Sequence, residues 1–388
     1  MIVHTELIIE QRTERRYDAH VNKHVPRIAL TADWLPTFGG AEHVIAEFCN
    51  LWPEAPLFTT VARRGHLGQL DKANIHTSSL QCIYKILHTH KLLLPWMPKA
   101  MEHFDLRGFD VVLSSSHAVG KGVIPPSAAV HICYCHTPMR YAWEMEDEYL
   151  TDFHIPKILR GTVRKHLRRL RRWDLTTAKR VDHFIANSTT VQERILKTYG
   201  RESTVIHPPV SQRFFETSLE SFPKKNYFLA LGRLVPYKRF DLLVETANAL
   251  SIPLKIAGSG QDSMRLKRMA GPTVEILGYV PDEELPELYG SAKALLFPQL
   301  EDAGVAPLEA QACGTPVIAL GKGGALDTVL DMKTGIFFEE QTVESLKDVL
   351  GRFEKIQFDS QAIRSHAKAF SSNKFQSKIS EIVEESMA

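Results

Sequence analysis

Short apolar runs alternate with segments of helical periodicity along two stretches of the chain. In the first stretch, residues Glu42–Leu51 carry apolar side chains at helical spacing between two apolar runs. Apolar strands separated by helices predict a parallel sheet that is covered on both faces. The predicted strands are Arg27–Ala32, Ala55–Thr59, Phe109–Leu113, Val130–Tyr134, His183–Ala186 and Thr204–His207.

A second alternating unit follows a break at residues 207–210, after which the chain is polar with little periodicity as far as Lys225. Two doubly wound domains in tandem direct the carboxyl ends of their strands toward a shared cleft. The last helical segment, Asn373–Glu385, is expected to pack back on the first domain. The predicted strands of this unit are Tyr227–Leu231, Pro253–Ala257, Thr273–Leu277, Ala294–Phe297, Thr315–Ala319 and Gly335–Phe338.

The composition fits a globular protein, with 388 residues of which 44% are hydrophobic and 24% charged. A net charge of +2 gives no overall signal for a nucleic-acid partner. Five scattered cysteines indicate a reducing compartment without a disulfide framework, such as the cytoplasm. We find neither the features of a secretory signal in residues 1–26 nor an apolar run long enough to span a bilayer.

Two carboxylates lie eight positions apart in the segment Glu301–Glu309, which follows a predicted strand. Gly304 precedes a helical run, and the first N–H groups of a helix form an anion site because they have no partner within it. Carboxylates repel phosphate, so Glu301 and Glu309 suit hydroxyl groups on either side of one. The alternative is that both are ordinary solvated or first-turn charges.

A basic loop follows the predicted strand Tyr227–Leu231. Gly232 lets the backbone turn close to a ligand, and Arg233 and Lys238 stand on the loop before the next helix. Two cations at the end of a parallel strand suit a diphosphate, with Arg as a fork and Lys as a point charge. The alternative is a solvated basic loop.

A glycine pair, Gly39 and Gly40, opens the first predicted helix, so its N–H groups could meet a phosphate from the opposite side of the cleft. The spacing is not that of the dinucleotide fingerprint, which weakens the case for a dehydrogenase. A simple turn is the alternative. Two histidines, His117 and His136, follow other strands of this domain and are candidates for contact with a hydroxyl acceptor.

The most basic segment of the chain is Lys157–Trp173, in which apolar residues recur at helical spacing between arginines and lysines. An amphipathic basic helix suits anionic lipid headgroups. Nucleic acid is less favoured because no aromatic platform or recognition motif accompanies the segment. The alternative is a surface helix that packs on the first domain through its apolar stripe.

Together these residues resemble retaining glycosyltransferases of family 4, which have the two-domain GT-B fold. The resemblance runs from about Arg27 to the C-terminus. Segments Ser114–Val119 and His136–Trp143 look most like mannosyltransferases of O-antigen and exopolysaccharide assembly, which typically use GDP-mannose and a polyprenyl-diphosphate-linked acceptor at the cytoplasmic membrane face. The motifs that carry it are Gly39-Gly40, Gly232-Arg233 with Lys238, Gly278-Tyr279-Val280 and Glu301–Glu309.

The resemblance implies a division of the chain and roles on the donor side. Arg233 and Lys238 would bind the donor diphosphate, Glu309 the ribose hydroxyls and Glu301 the transferred sugar, while Val280 would meet the nucleobase through its backbone. The other implied donor-binding positions are Gly39, Gly40, Asp302, Gly304, Val305 and Ala306. The implied division is an extension over residues 1–26, an acceptor-binding domain over 27–210, a nucleotide-sugar-binding domain over 211–370 and a C-terminal helix over 371–388.

On the acceptor side, the resemblance implies that His136 lies near the anomeric carbon and that His117, Lys121 and Arg140 face the acceptor. Ala303 departs from the family, in which an aromatic residue is often found, and this leaves the sugar open. The implied catalytic residues are His136, Arg233, Lys238 and Glu301.

We expect transfer with retention of configuration and without a metal, because cations and helix N-termini can stabilise the leaving diphosphate and no Asp-x-Asp motif lies in the cleft loops. Two alternatives stay open from the sequence. One is a nucleotide-sugar 2-epimerase on a similar fold, which would need no acceptor. The other is a non-catalytic GT-B subunit that scaffolds a polysaccharide complex.

Overall fold

The first domain is built on a parallel sheet. The computed structural model describes residues 26–143 and 156–387, so most of the expected N-terminal extension lies outside the described residues. In the described part, this sheet has seven strands in the order β3-β2-β1-β4-β5-β6-β7, all paired in parallel. They are β1 Ile28–Ala32, β2 Leu57–Thr59, β3 Ile75–Thr77, β4 Val111–Ser116, β5 Val130–Cys135, β6 His183–Ala186 and β7 Ser203–Val205.

Two features of this sheet differ from the sequence prediction. Strand β3 was not predicted, because it has three residues of which Ile75 alone is buried. Strand β4 continues beyond its predicted end at Leu113 through Ser114, Ser115 and Ser116, which are all buried. Tertiary contacts stabilise these serines within the sheet, since Ser114 Oγ lies 3.0 Å from Nε2 of His131 on the neighbouring strand.

The second domain repeats the design. Within the described residues, its sheet has the six strands that were predicted, all parallel, and their order is β10-β9-β8-β11-β12-β13. In each sheet the chain reverses its direction of winding once, between β1 and β4 and between β8 and β11, where doubly wound folds bind ligands. The strands are β8 Phe228–Leu231, β9 Leu254–Ala257, β10 Val274–Gly278, β11 Leu295–Phe297, β12 Val317–Leu320 and β13 Gly335–Phe338.

Helices cover both faces of each sheet. Neighbouring residues of β1, Ala29 and Leu30, belong to hydrophobic clusters on opposite faces, as expected for a strand buried on both sides. The helices of the first domain are α1 Gly40–Leu51, α2 Leu80–Leu87, α3 Met97–Glu102, α4 Arg140–Trp143, α5 Lys157–Ala178 and α6 Thr189–Tyr199. Those that follow are α7 Arg213–Glu216, α8 Phe240–Leu250, α9 Ser263–Met269, α10 Leu285–Ser291, α11 Val305–Ala312, α12 Ala325–Thr328, α13 Val343–Phe353, α14 Ser360–Ala367 and α15 Ser372–Met387.

The C-terminal helix α15 returns to the first domain. Phe375, Ile379 and Val383 are buried in the first-domain core, and the ring of Phe375 stacks on that of Phe48 with centroids 5.9 Å apart. Ser372 Oγ donates a hydrogen bond of 2.7 Å to Glu47 on α1. The predicted fold class, two doubly wound domains with a helix that crosses back, is confirmed.

Candidate functional site

A cleft of about 580 Å³ lies between the two domains, at the carboxyl ends of strands from both sheets. Strands β4 and β5 contribute His117 and His136, and β8 and β11 lead to Arg233 and Glu301. Nearly all of the predicted site residues line this cleft. They are Gly39, Gly40, His117, His136, Arg140, Arg233, Lys238, Glu301, Asp302, Gly304, Val305, Ala306 and Glu309.

Two helix N-termini meet the cleft from opposite domains. Helix α1 begins after Gly39 and α11 begins after Gly304, so neither N-cap residue has a side chain. At the start of α1, the Glu42 carboxylate accepts hydrogen bonds from the N–H groups of Gly39 and of Glu42 itself. Gly304 has φ of 70°, and a Cβ there would lie 3.2 Å from the ring of Phe297, so the turn favours glycine. Each N-terminus brings backbone N–H groups and a partial positive charge to the cleft wall, an arrangement suited to phosphate.

A lysine and a glutamate meet on the second-domain wall. Lys238 Nζ lies 2.9 Å from Glu301 Oε1, although the angles are not those of a hydrogen bond. Their side chains are 15% and 21% exposed, so water reaches the pair but does not surround it. Arg233 is exposed just after the end of β8. A Cβ atom at position 232 would lie 3.3 Å from Lys238 Nζ, so the glycine there leaves room for the lysine side chain.

A buried tyrosine holds Glu309. The Tyr289 hydroxyl donates a hydrogen bond of 2.8 Å to Glu309 Oε2, and Tyr289 itself is fully buried. Burial raises the pKa of Glu309, and the hydrogen bond from Tyr289 and the charge of Arg213 offset part of that effect. The carboxylate is therefore held in one orientation on the first turns of α11.

An ion-pair cluster joins the domains across the cleft. Asp302 of the second domain contacts Arg194 of helix α6 in the first domain. Arg140 lies on the same acid, with its Nη1 3.8 Å from Asp302 Oδ2. A second link lies nearby, where Asp327 accepts a hydrogen bond of 2.7 Å from the backbone N–H of Thr189. These contacts stabilise the observed arrangement of the two domains.

The pKa values of the two predicted histidines are shifted in opposite directions. His117 Nδ1 lies 2.8 Å from the carboxylate of Asp33. Burial lowers the pKa of His117, but the charge and hydrogen bond of Asp33 outweigh it, so the net pKa is raised. His136 Nε2 lies 2.8 Å from Ser115 Oγ, and burial followed by the charge of His117 lowers the pKa of His136 to about 3. His136 is therefore neutral at physiological pH.

Two predicted site residues lie outside the cleft. The expectation that Lys121 faces the acceptor is wrong: the residue is 2% exposed and is paired with the buried Asp174. Asp174 also accepts hydrogen bonds from Trp143 Nε1 at 2.8 Å and from the Tyr199 hydroxyl at 2.9 Å. Val280 packs at the edge of a hydrophobic cluster beside α10, and its backbone contact with a nucleobase stays a prediction.

Sequence reasoning missed several polar residues of the cleft. Asn187 and Gln299 follow strands β6 and β11 closely, which is the signal that could have found them. The same signal applies to Asp33, which follows β1 and lies buried behind the cleft wall. Asn187 and Gln299 are 5% and 2% exposed, and their side-chain oxygens have no hydrogen-bond partner among the described residues. Both line the cleft, so each has an acceptor oxygen for ligand hydroxyl groups.

The described residues contain no group of three or more His, Cys, Asp or Glu placed to hold a metal ion. The basic side chains that line the cleft include those of Arg140, Arg213, Arg233 and Lys238. That the chemistry needs no metal stays a prediction.

The two-domain architecture is the GT-B fold. It superposes on the crystal structure of HepE from Anabaena in complex with UDP and glucose with a TM-score of 0.65, over 92% of this chain and 99% of that chain at 18% identity. Residues 38–213 match the model of Glycosyltransferase Family 4, and residues 211–373 match that of Glycosyl transferases group 1. The chain belongs to this family of GT-B glycosyltransferases, which confirms the resemblance seen in the sequence.

Sequence relatives include two mannosyltransferases. The chain is 29% identical over 197 residues to the O-antigen chain mannosyltransferase RfbU of Salmonella typhimurium, covering 46% of this chain and 55% of RfbU. It is 35% identical over 141 residues to the GDP-mannose-dependent alpha-(1-6)-phosphatidylinositol monomannoside mannosyltransferase of Mycolicibacterium smegmatis, covering 32% of this chain and 37% of that protein. The aligned regions thus span about half or less of each relative.

Proposed function

We propose that the protein is a retaining hexosyltransferase that moves mannose from GDP-mannose to a lipid-linked glycan acceptor in cell-surface polysaccharide synthesis. The observation that carries the proposal is the clustering of Arg233, Lys238 and two helix N-termini that begin at glycines around one cleft. This positive charge suits the diphosphate of a nucleotide-sugar. The names of the two mannosyltransferase relatives support mannose as the sugar.

In the proposed reaction, the bond between the anomeric carbon and the diphosphate oxygen breaks while the acceptor oxygen bonds to the same face of the sugar. The acceptor proton passes to the leaving diphosphate. Negative charge grows on that diphosphate, and groups that already point at it lower the barrier without reorganising. Arg233, Lys238 and the N–H groups of Gly40, Val305 and Ala306 are the groups in this role, so no metal is required.

Lys238 and Glu301 form an ion pair with each other on the cleft wall. The donor diphosphate would become the partner of Lys238, and Glu301 would then accept hydrogen bonds from the sugar hydroxyls. Glu309, held by Tyr289, would accept those of the ribose. His136 would contact the sugar near the anomeric carbon as a neutral ring, so it would not repel the cationic character that develops there.

We further propose that the first domain contacts an anionic membrane. Helix α5 packs through the buried residues Leu167 and Leu170 and exposes Arg168, Arg169 and Arg172. Trp173 of α5 donates a hydrogen bond of 2.9 Å to Glu102 of α3, which places the basic helix beside the segment of α2 and α3.

That segment exposes apolar side chains, which include Ile86 and Trp96 at 79% and 60% exposure. Basic and apolar groups side by side suit lipid headgroups and the acyl boundary beneath them. None of the described helices is long and apolar enough to cross a bilayer, so the proposed contact is peripheral.

A donor screen tests the proposed reaction. Purified protein is incubated with GDP-mannose, UDP-glucose and other nucleotide-sugars, with and without a polyprenyl-diphosphate-linked acceptor, and early product is read by proton NMR. We expect slow hydrolysis of GDP-mannose alone and transfer with an unchanged anomeric configuration when the acceptor is present. Inversion would contradict retention, interconversion of free donors would indicate an epimerase, and absence of nucleotide binding would indicate a scaffold.

Vesicle sedimentation tests the membrane contact. Replacing Arg168, Arg169 and Arg172 by Gln is expected to weaken binding to anionic vesicles, at about 1 kcal/mol for each charge near the surface. Arg171 is left unchanged because it donates to the backbone of Ala142 and belongs to the packing of α5. The matched control replaces three exposed cations of the second domain, Lys347, Arg352 and Lys355. Equal binding by wild type and the α5 variant would show that the helix is structural.

A further inference from the structure

Asp33 is a buried carboxylate that binds the turn following β4. Its Oδ1 accepts hydrogen bonds from Ser116 Oγ at 3.0 Å and from the backbone N–H groups of Ala118 at 3.2 Å and Gly120 at 2.5 Å. Its Oδ2 accepts from the N–H of His117 at 2.7 Å. The side chain is 2% exposed. So many donors for one carboxylate hold the turn, and with it His117, in a single position.

The same carboxylate meets the His117 ring. Nδ1 lies 2.8 Å from Asp33 Oδ2, so Nε2 is the ring nitrogen left for a ligand, and the ring lines the cleft with 34% of the side chain exposed. Burial raises the pKa of Asp33, but the charge and hydrogen bonds of His117 lower it below its ordinary range. Among more distant groups, the charge of Glu42 raises the pKa of His117 and that of Arg233 lowers it.

The other rings around His117 are uncharged. The His136 centroid is 6.4 Å away, and the Trp34 ring meets His117 edge-on at 5.0 Å. His90 stacks on the far side of this group against Trp34, and burial together with the charges of Lys91 and His117 lowers the pKa of His90 to about 4. His117 is thus the histidine of this cluster that has an acid for a partner.

We propose that Asp33 holds His117 as an imidazolium whose Nε2–H donates a hydrogen bond to a phosphate oxygen of the substrates. Asp33 is then a positioning residue, and His117 adds a first-domain cation opposite Arg233. An imidazolium has no lone pair to remove the acceptor proton, which agrees with proton transfer to the leaving diphosphate. The inference rests on the proposed function, which supplies two sources of phosphate: the donor and the lipid diphosphate.

The charge state of His117 is measurable in the free protein. Its ring carbon and nitrogen NMR shifts are followed against pH, with the signals assigned through His117→Gln. We expect a pKa above the ordinary value of about 6.5 in wild type and a lower pKa in Asp33→Asn. A wild-type pKa at or below about 6.5 overturns the inference without bearing on transfer activity. The wild-type titration decides the charge state even if Asp33→Asn does not fold.

Calorimetric binding identifies the phosphate. GDP and farnesyl diphosphate are each titrated into wild type and His117→Gln at about pH 6 and about pH 8, on either side of the histidine range. Comparing the two proteins cancels the titration of the ligands' own phosphates. We expect His117→Gln to bind one ligand roughly tenfold more weakly at the lower pH, with a smaller difference at the higher pH.

A loss confined to GDP assigns the contact to the donor, and a loss confined to farnesyl diphosphate assigns it to the acceptor. Equal affinity of the two proteins for both ligands overturns the phosphate contact. If wild type binds neither ligand, that contact fails together with the proposed function, while the NMR titration still decides the Asp33–His117 pair. The control, His90→Gln, changes a neighbouring histidine outside the cleft lining, and a similar loss there would overturn the assignment to His117.

Discussion

Replacing Lys238 by Ala is the most direct test of the proposed diphosphate site. The variant removes a cation whose Nζ lies 2.9 Å from Glu301 and whose side chain is 15% exposed on the cleft wall. The backbone of the loop is expected to stay in place, because Gly232 and the residues before α8 set its course. The substitution therefore separates the charge from the fold.

The two expected effects differ in size. Loss of one preorganised group that stabilises transition-state charge costs about 2.7–4 kcal/mol, or roughly 10²–10³ in kcat. The loss in free energy of unfolding is expected to be smaller, because the Lys238–Glu301 pair is partly exposed. Fully exposed pairs contribute ~0–1 kcal/mol, and buried pairs cost ~3–5 kcal/mol to break. We expect about 1–2 kcal/mol, or a Tm lower by roughly 2–8 °C.

The assay measures initial rates at saturating donor together with thermal unfolding of the same samples. The matched control is Lys255→Ala, which breaks another Lys–Glu pair of the second domain, 3.1 Å from Glu275, at a residue that does not line the cleft. The side chains of Lys255 and Glu275 are 33% and 60% exposed, so we expect this variant to lose less than about 1 kcal/mol of stability and to keep its kcat unchanged.

A threefold change in kcat corresponds to a change of ~0.7 kcal/mol in the activation free energy. If the kcat of Lys238→Ala is within about threefold of wild type, the assignment of this lysine to the diphosphate is refuted. Equal losses of kcat in Lys238→Ala and Lys255→Ala would show that the effect acts through stability. Either result would leave Arg233 and the helix N-termini as the anion site.

Three further predictions concern buried groups. Lys121→Met leaves Asp174 buried without its cation, so urea denaturation should show a loss of ~3–5 kcal/mol while the folded protein binds GDP as wild type does. Glu309→Gln keeps an acceptor for the Tyr289 hydroxyl but loses the carboxylate charge, so the variant should bind GDP about tenfold more weakly than wild type does. Its affinity for 2′,3′-dideoxy-GDP, which lacks the ribose hydroxyls, should be nearly that of wild type. An equal loss for both ligands would contradict a ribose contact. Burial lowers the pKa of His131 to about 4, so between pH 6.5 and that value the unfolded chain binds an extra proton at this residue. His131 should therefore contribute about 1.4 kcal/mol per unit to the loss of stability with decreasing pH, and His131→Asn should reduce the measured slope by that amount.

Much of the site follows from the order of residues along the chain. His136, Arg233 and Glu301 each come soon after an apolar run, and in a parallel sheet the carboxyl ends of all strands lie on one edge. Residues that directly follow a strand therefore meet at the cleft, even when they are far apart along the chain. The glycines that start α1 and α11 are predictable for the same reason, since a strand, a turn and a helix are local structures.

Partner choice was not predictable from local pattern. Lys121 and His117 stand four positions apart on the same loop, yet one pairs with Asp174, 53 residues away, and the other with Asp33, 84 residues away. Whether a basic side chain of this loop is buried or lines the cleft depends on which acid a distant helix or strand places next to it. The sequence prediction therefore placed both in the acceptor half of the cleft and was wrong for Lys121.

By itself, the sequence determined the two doubly wound domains, the cleft between them and a set of residues nearly all of which line it, because hydrophobic periodicity and strand-end position are local properties. Only the tertiary structure decided which charges are paired. It buried Lys121 against Asp174, brought Lys238 to Glu301 and tied His117 to Asp33. The physical reason is that electrostatic and desolvation energies depend on distances through space, which packing sets and periodicity does not encode.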